Sequence, residues 1–178
     1  MGAATRGHLT LSGAPLDEMG AVLSLYQKIG GQYTRKSGTL VADSKNVQHA
    51  VPYVETEEYP GFPTDLQSVF LAAEASGTGE SQIRETVYEA RFEAAVRLAS
   101  FGADVSVHGD TAIIKGRYPL LPGVVETPDL RGGAALLVAA LSAGGLSVVS
   151  DRGHLKRGYE DIGRDLRILG ADIEENIL

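Results

Sequence analysis

The apolar positions of this chain switch between two spacings. Over residues 64–75, Leu66, Val69, Phe70 and Ala73 recur at helical spacing, with Thr64 or Asp65 placed to cap the start. Over 92–101, Phe92, Ala95, Val96 and Ala99 do the same. Residues 51–57 and 81–87 read as strands, and 103–107 with 111–115 as a hairpin across His108-Gly109-Asp110. The predicted order is βαβαββ. A second run follows it: strand 124–126, helix 131–143, strand 147–150, helix 158–169 and strand 171–175, with the last strand missing or frayed at Leu178. The start of the chain gives a strand at 8–11, a helix at 16–29 and a hairpin across Ser37-Gly38, without the opening strand and helix.

Three segments tie these runs together. Leu25 to Tyr33, Arg97 to Val105 and Leu166 to Ile173 each end a helix, pass through Gly30, Gly102 or Gly170, and enter a strand. Glycine is the expected stop there, because it enters the left-handed region without steric cost. The three glycines recur about every 70 residues, too long for a two-helix solenoid repeat. The pattern predicts an α/β (α+β) fold of repeated βαβαββ units at about 7–50, 51–116 and 117–178, within one domain spanning 1–178. The first and last units are incomplete, as expected of one part of a longer protein or of a reduced first copy.

Composition narrows the function. The 178 residues carry a formal net charge of −7, with 43% hydrophobic and 22% charged residues, ordinary for a globular domain. A general nucleic-acid binder would carry a basic excess, so no nucleic-acid partner is expected. There is no cysteine, which removes disulfides and thiol chemistry. His8, His49, His108 and His154 lack metal-ligand spacing. No signal-peptide core opens the chain, and the longest apolar stretch, 134–143, is far short of a membrane span. The expected location is cytoplasmic, with no membrane partner.

Four strand-to-helix junctions carry candidate chemistry, and each admits a bland reading. Tyr59-Pro60-Gly61-Phe62-Pro63 is a stiff loop delivering Asp65 to the first helical turn. There a carboxylate either caps the helix or takes a proton or hydroxyl. Residues 85–92 hold Glu85, Glu89 and Arg91, as a solvated rim or as part of a site. Asp129, Arg131, Gly132 and Gly133 open the next helix, for tight packing with Asp129 as cap or for anion binding. Residues 151–160 gather Arg152, Lys156 and Arg157, as a solvated loop or an anion clamp. Packed about an axis, the junctions would bring Asp65, Arg91, Asp129, Arg131 and Arg157 together around a small anionic ligand.

Four motifs in order carry a resemblance. They are Tyr59-Pro60-Gly61-Phe62-Pro63-Thr64-Asp65-Leu66-Gln67, then Glu85-Thr86-Val87-Tyr88-Glu89-Ala90-Arg91-Phe92, then Asp129-Leu130-Arg131, then His154-Leu155-Lys156-Arg157-Gly158-Tyr159-Glu160. Together they resemble the UDP-N-acetylglucosamine 1-carboxyvinyltransferases, enolpyruvyl transferases, over essentially the whole chain but only the C-terminal part of the family's length. The resemblance implies an inside-out α/β barrel and two such domains closing over substrates. It implies transfer of enolpyruvyl from phosphoenolpyruvate to the 3-hydroxyl of UDP-N-acetylglucosamine, with release of phosphate, as the first committed step of peptidoglycan synthesis. Asp65 is then the catalytic carboxylate at the reacting hydroxyl, and the Val87 main chain touches the sugar nucleotide. Arg131 and Arg157 hold phosphoenolpyruvate, while Arg91 and Asp129 complete the substrate-binding set. No metal or organic cofactor is implied.

The chain departs from the family pattern at Ala90 (usually Asn), Pro128 (usually Thr), Gly132-Gly133 (an Ala-Ser-like pair) and Lys156 (an acidic residue). The family's other domain supplies a Lys-Asn pair, further arginines and a mobile loop, so this chain alone is expected to be inactive. Three alternatives stay open: a 3-phosphoshikimate 1-carboxyvinyltransferase, a non-catalytic scaffold or regulatory module of the same fold, and a split enzyme whose second chain supplies the missing domain.

Overall fold

Two helices rich in small residues form the centre of the molecule, whose structure, a computed structural model, describes residues 1–89 and 91–175. They are α3 (Thr64–Ala75) and α5 (Leu130–Leu141), packed along each other. Ala134, Ala135, Leu136, Val138 and Ala139 of α5 are buried, as are Leu71, Ala72 and Ala75 of α3. A helix apolar on most faces, as α5 is, belongs in an interior. A short α1 (Gly2–Thr5) lies against both, with Ala3 and Ala4 buried.

The strands form three sheets. Unit one contributes β1 (His8–Ser12), α2 (Gly20–Lys28), β2 (Gln32–Lys36) and β3 (Thr39–Asp43), an antiparallel sheet in the order β1-β3-β2. Unit two contributes β4 (Tyr53–Glu55), α3, β5 (Gly79–Arg84), α4 (Glu93–Arg97) with a 3₁₀ turn Leu98–Phe101, β6 (Asp104–His108) and β7 (Thr111–Gly116). Its sheet runs β4-β5-β7-β6. β4 and β5 pair in parallel with Val54 opposite Ile83, and α3 is the crossover that a parallel pair needs. Unit three repeats this with β8 (Val124–Glu126), α5 and β9 (Val148–Ser150), where Val125 faces Val149. A 3₁₀ turn Leu155–Arg157 and α6 (Ile162–Ile168) follow.

The repeat expected from the sequence is present, and its glycine stops sit in the left-handed region: Gly30 at φ 100°, Gly102 at 81° and Gly170 at 94°. Several boundaries differ. Hydrogen-bonded turns at Ala14 to Glu18 delay α2 to Gly20. The strand expected over 81–87 ends at Arg84, because the Glu85 carboxylate draws the next amides into a curl. The helix expected from 158 starts at Ile162, where the Asp161 carboxylate accepts from Arg164 N–H. Residues 171–175 form no strand. The corresponding β6 is held by β7, and no such neighbour exists for this segment among the described residues. The reading at Leu178 lies outside the described residues. Among those described, no helix is long and apolar enough to cross a membrane.

One buried carboxylate links the centre to the sheet. Glu74, near the end of α3, accepts from Val51 N–H at 2.9 Å and from the Ser81 hydroxyl. Burial pushes its pKa up to about 7 against the partial offset of those two bonds. A raised folded-state pKa favours the protonated form in the fold. Its stabilising share is complete below about pH 4.5 and is lost as pH rises through about 7. The shift corresponds to about 3 kcal/mol. Glu74→Gln is therefore expected to flatten the fall in stability between pH 5 and pH 8 and to raise the urea midpoint at pH 8. A parent protein whose midpoint instead climbs over that range would show that the carboxylate is charged in the fold.

Candidate active site

The site lies where unit two meets unit three. Pro63 has extended backbone, so α3 begins at Thr64 and carries Asp65 in its first turn, beside the positive end of the helix. The preceding loop is closed by Glu57 N–H donating to Phe62 C=O at 2.8 Å and by the buried Phe62 ring set edge-on to Phe70. α5 begins beside it. Asp129 is its N-cap, accepting from Arg131 N–H and Gly132 N–H at 2.8 Å each. The two glycines serve packing. A Cβ on Gly132 would meet Pro128 at 2.6 Å, and one on Gly133 would meet Leu155 at 2.9 Å. These contacts seat Pro128 and the Leu155–Arg157 turn against the first turn of α5.

Asp65 and Arg131 meet across this junction. Arg131 Nη2 donates to Asp65 Oδ2 at 2.9 Å and Nε to Oδ1 at 3.3 Å, a two-pronged grip. Arg91 Nη1 adds a bond to Oδ1 at 3.1 Å. One carboxylate thus holds two guanidinium groups. The Asp65 side chain is 54% exposed, Arg131 35% and Arg91 18%, so the cluster opens to solvent on the carboxylate side. Tyr88 lies beneath Arg91, its ring centroid 4.9 Å from the guanidinium carbon.

A second carboxylate supports the cluster from below. Glu85 is 4% exposed. Its Oε1 accepts from the Thr56 hydroxyl at 2.7 Å, Val87 N–H at 3.0 Å and Tyr88 N–H at 2.9 Å. Its Oε2 accepts from the Thr64 hydroxyl at 2.9 Å. Thr64 Oγ1 in turn accepts from Arg91 Nη1 at 3.1 Å. The carboxylate therefore ties together the end of β4, the start of α3 and the loop after β5.

Of the expected set, Asp65, Arg91 and Arg131 are in direct contact, and Asp129 sits one turn away as a cap. Val87 is exposed, and its N–H is committed to Glu85. Arg157 stands apart on its 3₁₀ turn, where its side chain bonds to none of the others among the described residues. The turn nonetheless flanks α5, since a Cβ on Gly158 would meet Leu130 at 2.7 Å. The rim reading of 85–92 holds for Glu89, which is exposed, and fails for the buried Glu85 and the largely covered Arg91. Ala90 lies outside the described residues. Glu85, Thr56 and Thr64 were missed as a supporting set. A spacing marks them: Arg91 stands six residues after Glu85, and Arg157 six after Asp151.

The two carboxylates are expected to respond differently to substitution. Asp65→Asn removes exposed ion pairs, each worth about 0–1 kcal/mol, so its urea midpoint should stay near the parent value. Glu85→Ala strands four buried or half-buried donors and should cost about 3 kcal/mol or more. Equal losses from the two would show that Asp65 is a structural residue.

Among known proteins, residues 1–166 match the family described as EPSP synthase (3-phosphoshikimate 1-carboxyvinyltransferase). UDP-N-acetylglucosamine 1-carboxyvinyltransferase of Granulibacter bethesdensis is 38% identical over 172 residues, covering 97% of this chain and 41% of that protein. The enzyme of that name from Gluconobacter oxydans is 40% identical over 177 residues, covering 95% and 40%. The chain thus spans about 40% of the length of the curated relatives it matches. Among solved structures, the enolpyruvyl transferase NikO from Streptomyces tendae superposes with a TM-score of 0.84 at 28% identity, over 97% of this chain and 42% of that one. EPSP synthase from Acinetobacter baumannii, at a TM-score of 0.70 and 16% identity over 98% of this chain and 42% of that one, shares the fold. The repeated βαβαββ units and the extent of the match place this chain in the EPSP synthase family of enolpyruvyl transferases, as one domain's worth of its much longer relatives.

Proposed function

We propose that this chain is the C-terminal domain of a cytoplasmic enzyme that transfers enolpyruvyl from phosphoenolpyruvate to the 3-hydroxyl of UDP-N-acetylglucosamine in peptidoglycan synthesis. The observation that carries the reading is the Asp65 carboxylate gripped by Arg131 and Arg91 at the mouth of the unit junction. The names of the most similar relatives support the choice of acceptor.

The chemistry follows from what the residues can exchange. A guanidinium fork accepts a carboxylate or a phosphate with the same two parallel bonds. Phosphoenolpyruvate carries both groups. When it takes Arg131, with Arg157 from the neighbouring turn, Asp65 Oδ2 loses its partner and becomes free to accept from the acceptor hydroxyl. Anion binding and hydroxyl engagement are thereby one event. The 3-oxygen then bonds to C2 of phosphoenolpyruvate as C3 gains a proton, giving a tetrahedral intermediate. Loss of a C3 proton and cleavage of the C2–O bond, whose oxygen leaves with the phosphate group, restore the double bond and release phosphate. Asp65 takes the hydroxyl proton, and the arginines hold the charge that develops on the anion. The Val87 main chain lies against the sugar nucleotide, Arg91 shapes the seat through Asp65, and Asp129 fixes the turn that aims Arg131. A second domain, in the same chain or a separate one, supplies the facing wall. Without it the cleft neither orients both substrates nor excludes water.

Phosphate release from phosphoenolpyruvate and UDP-N-acetylglucosamine tests this, with the chain alone and with a matching N-terminal domain. Release is expected only in the mixture, falling at least about 100-fold for Asp65→Ala. Turnover with 3-phosphoshikimate instead would reassign the acceptor. A folded mixture that binds the sugar nucleotide but releases no phosphate would replace the enzyme with a scaffold.

A further inference from the structure

The ends of the parallel strand pairs are built alike in units two and three. In unit two, Thr56 after β4 donates its hydroxyl to Glu85 after β5, and Glu85 gathers the amides of Val87 and Tyr88. In unit three, Thr127 after β8 donates to Asp151 after β9 at 2.6 Å, and Asp151 gathers the amides of Gly153, His154 and Leu155. Each carboxylate curls the chain out of its strand, and each curl leads to an arginine six residues on, Arg91 or Arg157.

The two differ in burial, Glu85 being buried and Asp151 exposed, and in what else they reach. Asp151 bonds to Thr127 and to its own loop. Glu85 also accepts from Thr64 on the neighbouring helix, and Thr64 Oγ1 accepts from Arg91. The geometry is directional. With its hydrogen committed to Glu85 Oε2, the Thr64 hydroxyl presents a lone pair to Arg91 Nη1. That same nitrogen reaches Asp65 Oδ1. A hydroxyl free to rotate would offer Arg91 a lone pair only part of the time.

We propose that Glu85 is a positioning residue that acts through Thr64 Oγ1 to fix the Arg91 guanidinium and, with it, the Asp65 carboxylate. The strand-end latch shared by units two and three is a device of the fold. Unit two extends it by one hydroxyl into the site. The inference rests on the proposed function for its consequence, which is that a fixed Arg91 presets Asp65 for the acceptor hydroxyl. The hydrogen-bond relay itself does not depend on that reading.

Thr64→Val separates relay from latch, because it removes the bridging hydroxyl at nearly constant volume and leaves Thr56, Val87 and Tyr88 bonded to Glu85. The measurements are the ¹⁵Nε order parameter of Arg91 in the unliganded chain and titration of the chain, mixed with a matching N-terminal domain, with UDP-N-acetylglucosamine. In Thr64→Val the Arg91 order parameter is expected to drop below about 0.6. The Val87 and Tyr88 amide resonances should hold their positions, and the apparent Kd should rise about tenfold. Thr64→Ser should restore all three readouts. Glu85→Gln, which places an amide NH₂ opposite Thr64, should loosen Arg91 in the same way. Unchanged Arg91 order in Thr64→Val, or no rescue by Thr64→Ser, overturns the inference. A parent chain with an ordered Arg91 that still ignores UDP-N-acetylglucosamine when mixed with the matching N-terminal domain leaves the relay standing and removes the functional reading.

Discussion

Everything at the site depends on how near α3 and α5 approach. The two packed helices bury alanines on both sides, and the first turn of α5 is further stripped of side chains at Gly132 and Gly133. Larger residues there would push out Pro128, Leu155 and the turn behind them. Arg131 could then no longer reach Asp65 at 2.9 Å, since the two belong to different units and share no strand. Small side chains in the core are therefore a condition for the polar contact at the surface. Each helix is also the crossover of a parallel strand pair, so its starting turn lies at the same end of its sheet. The repeat supplies the convergence, and close packing completes it.

Charge is distributed against the average. A protein of net charge −7 concentrates Arg91 and Arg131 on one carboxylate, with Arg157 on the turn alongside α5. The acidic remainder keeps the surface unattractive to polyanions at large. Glu85 lies beneath this cluster, shielded from solvent and fully occupied by donors. Arg91 therefore lies between an open carboxylate, Asp65, and a closed one, Glu85, which it reaches through Thr64 Oγ1.

Much of this was legible in the residues, for physical reasons that differ by element. α3 was readable to the residue, because a twelve-residue amphipathic helix with a proline before it leaves little freedom. The Gly30, Gly102 and Gly170 stops were readable because one residue type dominates that backbone conformation. Asp65, Arg91 and Arg131 were legible as a group only once the repeat was seen, since 66 residues separate Asp65 from Arg131. The end of β5 was misjudged because a side chain, Glu85, outcompeted the ladder for its own neighbours' amides, and alternation of apolar residues carries no trace of that. The segment 171–175 was misjudged for a related reason: strand propensity is realised only against a partner.

Asp65 gives Arg131 and Arg91 a counter-anion of their own. Its two oxygens meet the Arg131 fork as any carboxylate or phosphate would, so the fork is already matched. A small monovalent anion gains little by intruding, because it must evict a tethered rival that returns at very high local concentration. Only a molecule that brings its own fork-matching oxygens, together with a hydroxyl to satisfy the displaced carboxylate, leaves every donor and acceptor matched. Discrimination of this kind would arise from an ion pair that the fold already holds.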